Sequence, residues 1–209
     1  MKKNIFLKII AMVWAISGIV ILVGVIWPIV SYQTVSKEKD QNLLNPVVDL
    51  TKASNWFVGG KGSSAFNQSK VSYYNLSISK LKIKDAIVAI GGEDLSKSLI
   101  QYPGTALPGK KGNAVIFGHS VLPIFYDPQK YISIFSTLPS LKIGDDVLID
   151  YDSVSYKYRV ESMFEVYPTD IQVLQQDNSD SFLTLVTCVP PGDPRKAKRL
   201  IVRARVVPL

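Results

Sequence analysis

At 209 residues, with 47% hydrophobic and 20% charged side chains, the chain can bury the core of one ordinary domain and carry an appendage besides. A single cysteine excludes an intramolecular disulfide. One histidine beside it supplies too few nitrogen and sulfur ligands for a metal centre, so neither a metal nor any other cofactor is expected.

Residues 9–30 (IIAMVWAISGIVILVGVIWPIV) form a 22-residue run without a formal charge, a length that can cross a bilayer as a helix. Lys2, Lys3 and Lys8 precede the run, and Lys37, Glu38, Lys39 and Asp40 follow it. The positive-inside rule makes residues 1–32 a cytoplasmic start and single-pass anchor, and everything after Tyr32 extracytoplasmic. A cleavable signal peptide shares the basic start and apolar core. The run is longer than a usual signal core, however, and no clean small-x-small site follows it, so an uncleaved anchor is expected.

The net charge of +7 would suit nucleic acid, but an exported domain rarely meets it, and no nucleic-acid partner is expected. Arg195, Lys196, Lys198, Arg199, Arg203 and Arg205 suit anionic headgroups or cell-surface polymers, or a plain solvated face.

Residues 33–70 read as an extracytoplasmic stalk or linker, with Asn45-Pro46 breaking any helix. Its last part, 54–70, is rich in Gly and Ser and reads as a loop packed on the domain through Trp56 and Phe57, or as linker. Residues 71–209 then show short β-like segments bounded by turn residues. Residues 73–78 alternate, and 86–90 are a continuous apolar run closed by Gly91-Gly92. Residues 95–100 suggest one or two helical turns, and 102–113 an extended Pro/Gly loop. A buried strand at 114–117 runs straight into Gly118-His119.

A long connection and a short helix at 132–138 follow. Residues 147–151 and 154–159 form a hairpin around Asp152-Ser153, its second strand continuing over 160–167. After a short apolar piece at 171–174, residues 182–187 and 200–207 are the last strands. About eight short strands with little helix predict an all-β, closed or nearly closed barrel.

The only histidine, His119, and the only cysteine, Cys188, each stand at the end of an apolar strand. Strand ends at one rim of a barrel are neighbours in space, so the two can meet across 69 positions. A thiolate attacking an acyl group needs an acid/base for the leaving group and a donor for the oxyanion. Arg199 begins the strand after Cys188, and Arg203 and Arg205 share its strand parity and could serve in its place. Each residue has an inert reading too: a small buried hydrophobe, a satisfied imidazole and surface charges.

The run TLVTC (184–188) followed by RLIVR (199–203) resembles the signature of sortases, the membrane-anchored cysteine transpeptidases of bacterial surfaces. So do YPGTALPGKKGNAVIFGHS around His119, and FSTLPSLKIGDDVLIDYDSVSYKYRV with its VYPTDIQVL continuation. The resemblance covers 86–207. It implies a sortase-like barrel in which Cys188 is nucleophile, His119 general acid/base and Arg199 the oxyanion or substrate-orienting cation. Phe117, Val186 and Thr187 would then touch substrate.

The implied partners are the LPxTG-like sorting-signal peptide of a surface protein and an amine acceptor, a peptidoglycan cross-bridge or a pilin lysine. An N-terminal anchor without a hydrophobic C-terminal tail looks like the housekeeping or class D and E kind. Two features depart from the family. Phe117 replaces a commonly small residue before Gly-His, which narrows the pocket, and VPPGDPRKAK lengthens the turn from Cys188 to Arg199 by about two residues.

Some sortases bind calcium at acidic loop residues; Glu161, Glu165, Asp170 and Asp177 are scattered, and no such site is expected. An L,D-transpeptidase is disfavoured, since that family keeps Ser-His-Gly-Cys contiguous. A cysteine hydrolase and a non-catalytic surface-display barrel are the competing readings.

Overall fold

The computed structural model describes residues 49–59, 73–192 and 198–209, together with Met12, Trp14 and Ser17. The chain divides into two units, Met1–Val48 and Asp49–Leu209. In the first, the three described residues are helical and exposed. The expected anchor otherwise lies outside the described residues, among which no helix is long and apolar enough to cross a membrane. The same holds for most of the expected stalk, of which 49–59 are described and fall within the second unit.

That second unit is a closed all-β barrel. Its strands are β1 (Tyr73–Ile78), β2 (Ile83–Ile90), β3 (Leu99–Gln101), β4 (Gly112–Phe117), β5 (Asp146–Tyr151), β6 (Val154–Val166), β7 (Ser181–Val189) and β8 (Lys198–Val207). Around the barrel they run β1-β2-β3-β4-β7-β8-β6-β5 and close on β1. β2/β3 and β4/β7 pair in parallel, and the remaining neighbours are antiparallel. Asp152 and Ser153, both with positive φ, make the tight β5–β6 turn.

Every residue of β4 and of β7 is buried. Strands covered on both faces carry continuous apolar runs rather than alternation, which is how both read in the sequence. Ala114, Ile116, Leu183 and Leu185 belong to the barrel interior with Leu76, Phe135, Val202 and others. Val115, Phe117, Val186 and Cys188 belong to a second, outer cluster closed by Ala53, Trp56, Phe57 and Tyr102, with Val173 and Leu174 against it. Trp56 and Phe57 thus lie on the barrel, one of the two arrangements open for that segment.

Two local expectations are corrected. Residues 95–100, read as helical turns, contain the start of β3, three buried residues too short to show a period of two. Residues 132–138, read as a helix, form successive turns ending in a 3-10 segment, Leu138–Ser140, whose Pro139 suits the first positions of a helix but ill suits the interior of a longer one.

Gly118 joins β4 to His119 where no side chain fits. A Cβ there would stand 2.3 Å from Phe135 Cδ2 and 2.7 Å from Leu99 Cδ2. Gly118→Ala is therefore expected to destabilise the barrel by about 1–3 kcal/mol through overpacking, measured as a lowered midpoint of denaturant unfolding at unchanged slope.

Candidate active site

The site is set by strand register. β4 and β7 pair with Phe117 opposite Val186, and Gly118 N donates to Val186 O at 3.1 Å. Carried on two residues, this parallel register brings His119 level with Cys188. On the other side of β7, antiparallel β8 places Arg199 directly opposite Cys188. The nucleophile candidate thus has the histidine on one flank and the guanidinium on the other, with adjacent strands about 4.8 Å apart.

Register also separates the three arginines. Arg203 pairs with Thr184 and Arg205 with Phe182, farther down β7 from Cys188. Arg203 lies 3.7 Å from Glu161 and 3.9 Å from Asp177, and its guanidinium stacks over Phe182. Arg205 Nε donates to Glu161 at 3.0 Å and lies 3.7 Å from Asp180. These two are held in a surface carboxylate network, and Arg199 alone of the three faces the thiol.

All three site residues are buried: Cys188 is 0% exposed, Arg199 3% and His119 4%. Trp56 covers them. Its ring stacks on Phe117 with centroids 5.4 Å apart, meets His119 edge-on at 6.2 Å, and lies 5.5 Å from the Arg199 guanidinium carbon. Its indole N–H donates to Leu50 O at 2.8 Å, so residues 50–56 fold back on themselves and press the ring down. Arg199 Nε donates to Trp56 O and its Nη1 to Lys198 O, each at 3.2 Å. Burial lowers the pKa of the Arg199 guanidinium from its ordinary value, and the facing Cys188 works against that shift. A guanidinium so lowered still carries its charge at neutral pH.

Phe117, Val186 and Thr187, expected to touch substrate, present no surface in this state. Phe117 is enclosed by Trp56, Phe57 and Tyr102. Thr187 donates its hydroxyl to Gly118 O at 2.8 Å, a bond that ties the residue before Cys188 to the residue before His119. Sequence reasoning noticed Trp56 only as a packing residue. Its place over His119 and Arg199 depends on contacts across more than sixty residues, for which no local signal exists. Among the described residues no group of three or more His, Cys, Asp and Glu could hold a metal.

An eight-stranded barrel with cysteine and arginine paired on β7 and β8 and a histidine just past the end of β4 is the architecture that the sequence motifs imply. The model of the sortase domain family matches residues 76–207, and the chain belongs to the sortase family.

Sortase A of Bacillus anthracis is 32% identical over 97 residues, 46% of this chain and 41% of that protein. Sortase A of Streptococcus agalactiae is 27% identical over 117 residues, 56% and 45% of the two chains, so each match spans under half of the relative's length. Among solved structures, a lid mutant of Corynebacterium diphtheriae sortase A is similar with a TM-score of 0.58 and 28% identity, over 68% of this chain and 74% of that one. A Clostridium perfringens sortase D5 transpeptidase shares the fold with a TM-score of 0.56 at 24% identity, over 69% and 92%.

Trp56→Ala is expected to speed alkylation of Cys188 by iodoacetamide several-fold under native conditions, followed by intact-protein mass spectrometry. An unchanged rate would mean that access to the thiol is limited elsewhere.

Proposed function

We propose that this protein is a sortase-type cysteine transpeptidase that cleaves an LPxTG-like sorting signal and passes the acyl group to an amine. The observation that carries the reading is the register that sets Arg199 opposite Cys188 and carries His119 level with it. Cys188 passes its thiol proton to His119 as Sγ attacks the carbonyl carbon of the substrate threonine, and the carbonyl π pair moves to oxygen. Arg199 stabilises that oxyanion in a site from which water is excluded. Collapse breaks the Thr–Gly bond, and His119 delivers a proton to the departing glycine amine, leaving a thioester on Cys188. An acceptor amine then attacks the thioester, His119 takes the proton that the amine loses, an amide forms, and sulfur leaves and receives that proton back.

Water competes with the amine at that last step. The surroundings of Cys188 favour the amine, since Phe117, Val186, Ile201 and Trp56 form an apolar shell around the sulfur strand. The acceptor is an amine of the peptidoglycan cross-bridge or a pilin lysine. Residues 1–32 hold the enzyme in the bacterial membrane as a single-pass anchor, residues 33 onward lie outside it, and the barrel meets its protein substrate there; the uncharged run at 9–30 and the lysines before it support this.

The test supplies an LPxTG peptide with and without triglycine. The triglycine adduct is expected with wild type; free acid as the main product in both reactions would mark a hydrolase, and no product a non-catalytic barrel. Cys188→Ala is expected to abolish the adduct with the fold retained. Arg199→Ala is expected to cut turnover ~10²-fold or more, with Arg203→Ala near wild type; the reverse order would assign the role to Arg203.

A further inference from the structure

We propose that Ser120 is a positioning residue for this reaction, its hydroxyl forming the rung that keeps His119 level with Cys188; the inference rests on the transpeptidase reading above. β4 and β7 run parallel, and in such a ladder successive donors on one strand are two residues apart. The last rung made by the backbone at this end is Gly118 N to Val186 O at 3.1 Å. Its continuation falls between residue 120 and residue 188. At that place the Ser120 hydroxyl donates to the Cys188 carbonyl at 2.8 Å, fully buried and 68 residues away in sequence. A side chain thereby extends the ladder by one rung after β4 has ended at Phe117.

His119 sits between these two rungs, and the chain on either side is tied down in the same way. Thr187 Oγ1 donates to Gly118 O at 2.8 Å, Phe135 N to His119 O at 2.9 Å, and Val121 N to Ser136 Oγ at 2.9 Å. Of these ties, only the Ser120 bond ends on the nucleophile residue itself. Without it, the Cys188 carbonyl loses a buried donor and the chain beyond His119 loses its hold on β7. The imidazole can then drift from the sulfur, and displacement by about 1 Å is enough to cost on the order of 10²-fold in rate. Among the described residues, the ionisable groups of the same layer are Cys188 from β7, Arg199 from β8 and Tyr102, which packs on Phe117, while Trp56 and Phe117 bring no charge.

The chain has one histidine and one cysteine, so a single imidazole resonance reports on His119 and a single alkylation event on Cys188. The experiment follows the His119 Cε1–H resonance through a pH titration in the full-length protein, in wild type and in Cys188→Ala, Ser120→Ala, Ser120→Thr and Ser120→Val, with kcat and KM measured alongside. Threonine keeps the hydroxyl and valine matches its shape without one, so this pair separates the hydrogen bond from bulk.

Expected are a displaced His119 midpoint in Cys188→Ala, a displacement of the same sign in Ser120→Ala and Ser120→Val, and a midpoint near wild type in Ser120→Thr. The alanine variant should lose ~10-fold or more in kcat at little-changed KM. If Cys188→Ala moves the midpoint while the Thr and Val variants titrate alike, the positioning role is overturned and the catalytic reading stands. A midpoint unmoved by Cys188→Ala would overturn the His119–Cys188 pairing itself, and this inference with it.

Discussion

Parallel pairing of β4 with β7 is the constraint from which the site follows. Both strands run toward the same rim, so His119, two residues past the end of β4, and Cys188, next to last in β7, arrive together. Antiparallel pairing would carry the histidine toward the Ser181 end of β7, about 20 Å from the sulfur at 3.3 Å per residue. Direction alone does not suffice, because side chains alternate between faces. A slip of one residue would turn Cys188 from the outer layer into the barrel interior among Leu183 and Leu185. Burial on both faces of β7 makes such a slip costly, since each face packs against a different set of partners. The antiparallel turn to β8 completes the arrangement by returning the chain with Arg199 opposite Cys188.

Much of this barrel is legible from residue patterns, and the failures have physical causes. β1 shows its alternation, β4 and β7 announce themselves as apolar runs because both of their faces are covered, and the end of β2 reads as an apolar run although Ile87 is exposed. β3 is not legible: three buried residues, Leu99 to Gln101, carry no period, and their strand state comes from β2 on one side and β4 on the other. The turns at 131–137 carry apolar residues at spacings that imitate a helix, yet Ile134, Phe135 and Leu138 belong to the barrel interior.

At the site, uniqueness made His119 and Cys188 conspicuous, and the family motifs supplied their roles. The RLIVR motif pointed to Arg199, and register adds what strand parity cannot, since Arg199 and Arg203 share a face yet stand four residues, about 13 Å, apart along β8. Ser120 and Trp56 were invisible as site residues. A serine after a histidine and a tryptophan in a glycine-rich segment carry no pattern, and each acquires meaning from a partner more than sixty positions away.

The closed state around Arg199 bears on how a peptide could enter. Burying a guanidinium is unfavourable unless its donors are met, and here the Trp56 carbonyl, the Lys198 carbonyl and the Trp56 ring face do so, with Cys188 opposite. Trp56 shares the outer cluster with Cys188 and supplies part of what makes the buried cation tolerable. Any substrate that displaces the indole removes that support. On the transpeptidase reading proposed above, the entering group presents an acceptor to Arg199, and a peptide carbonyl gaining negative charge as sulfur attacks is an acceptor of the right kind. The same burial that closes the site thus favours those occupants whose chemistry the site can advance.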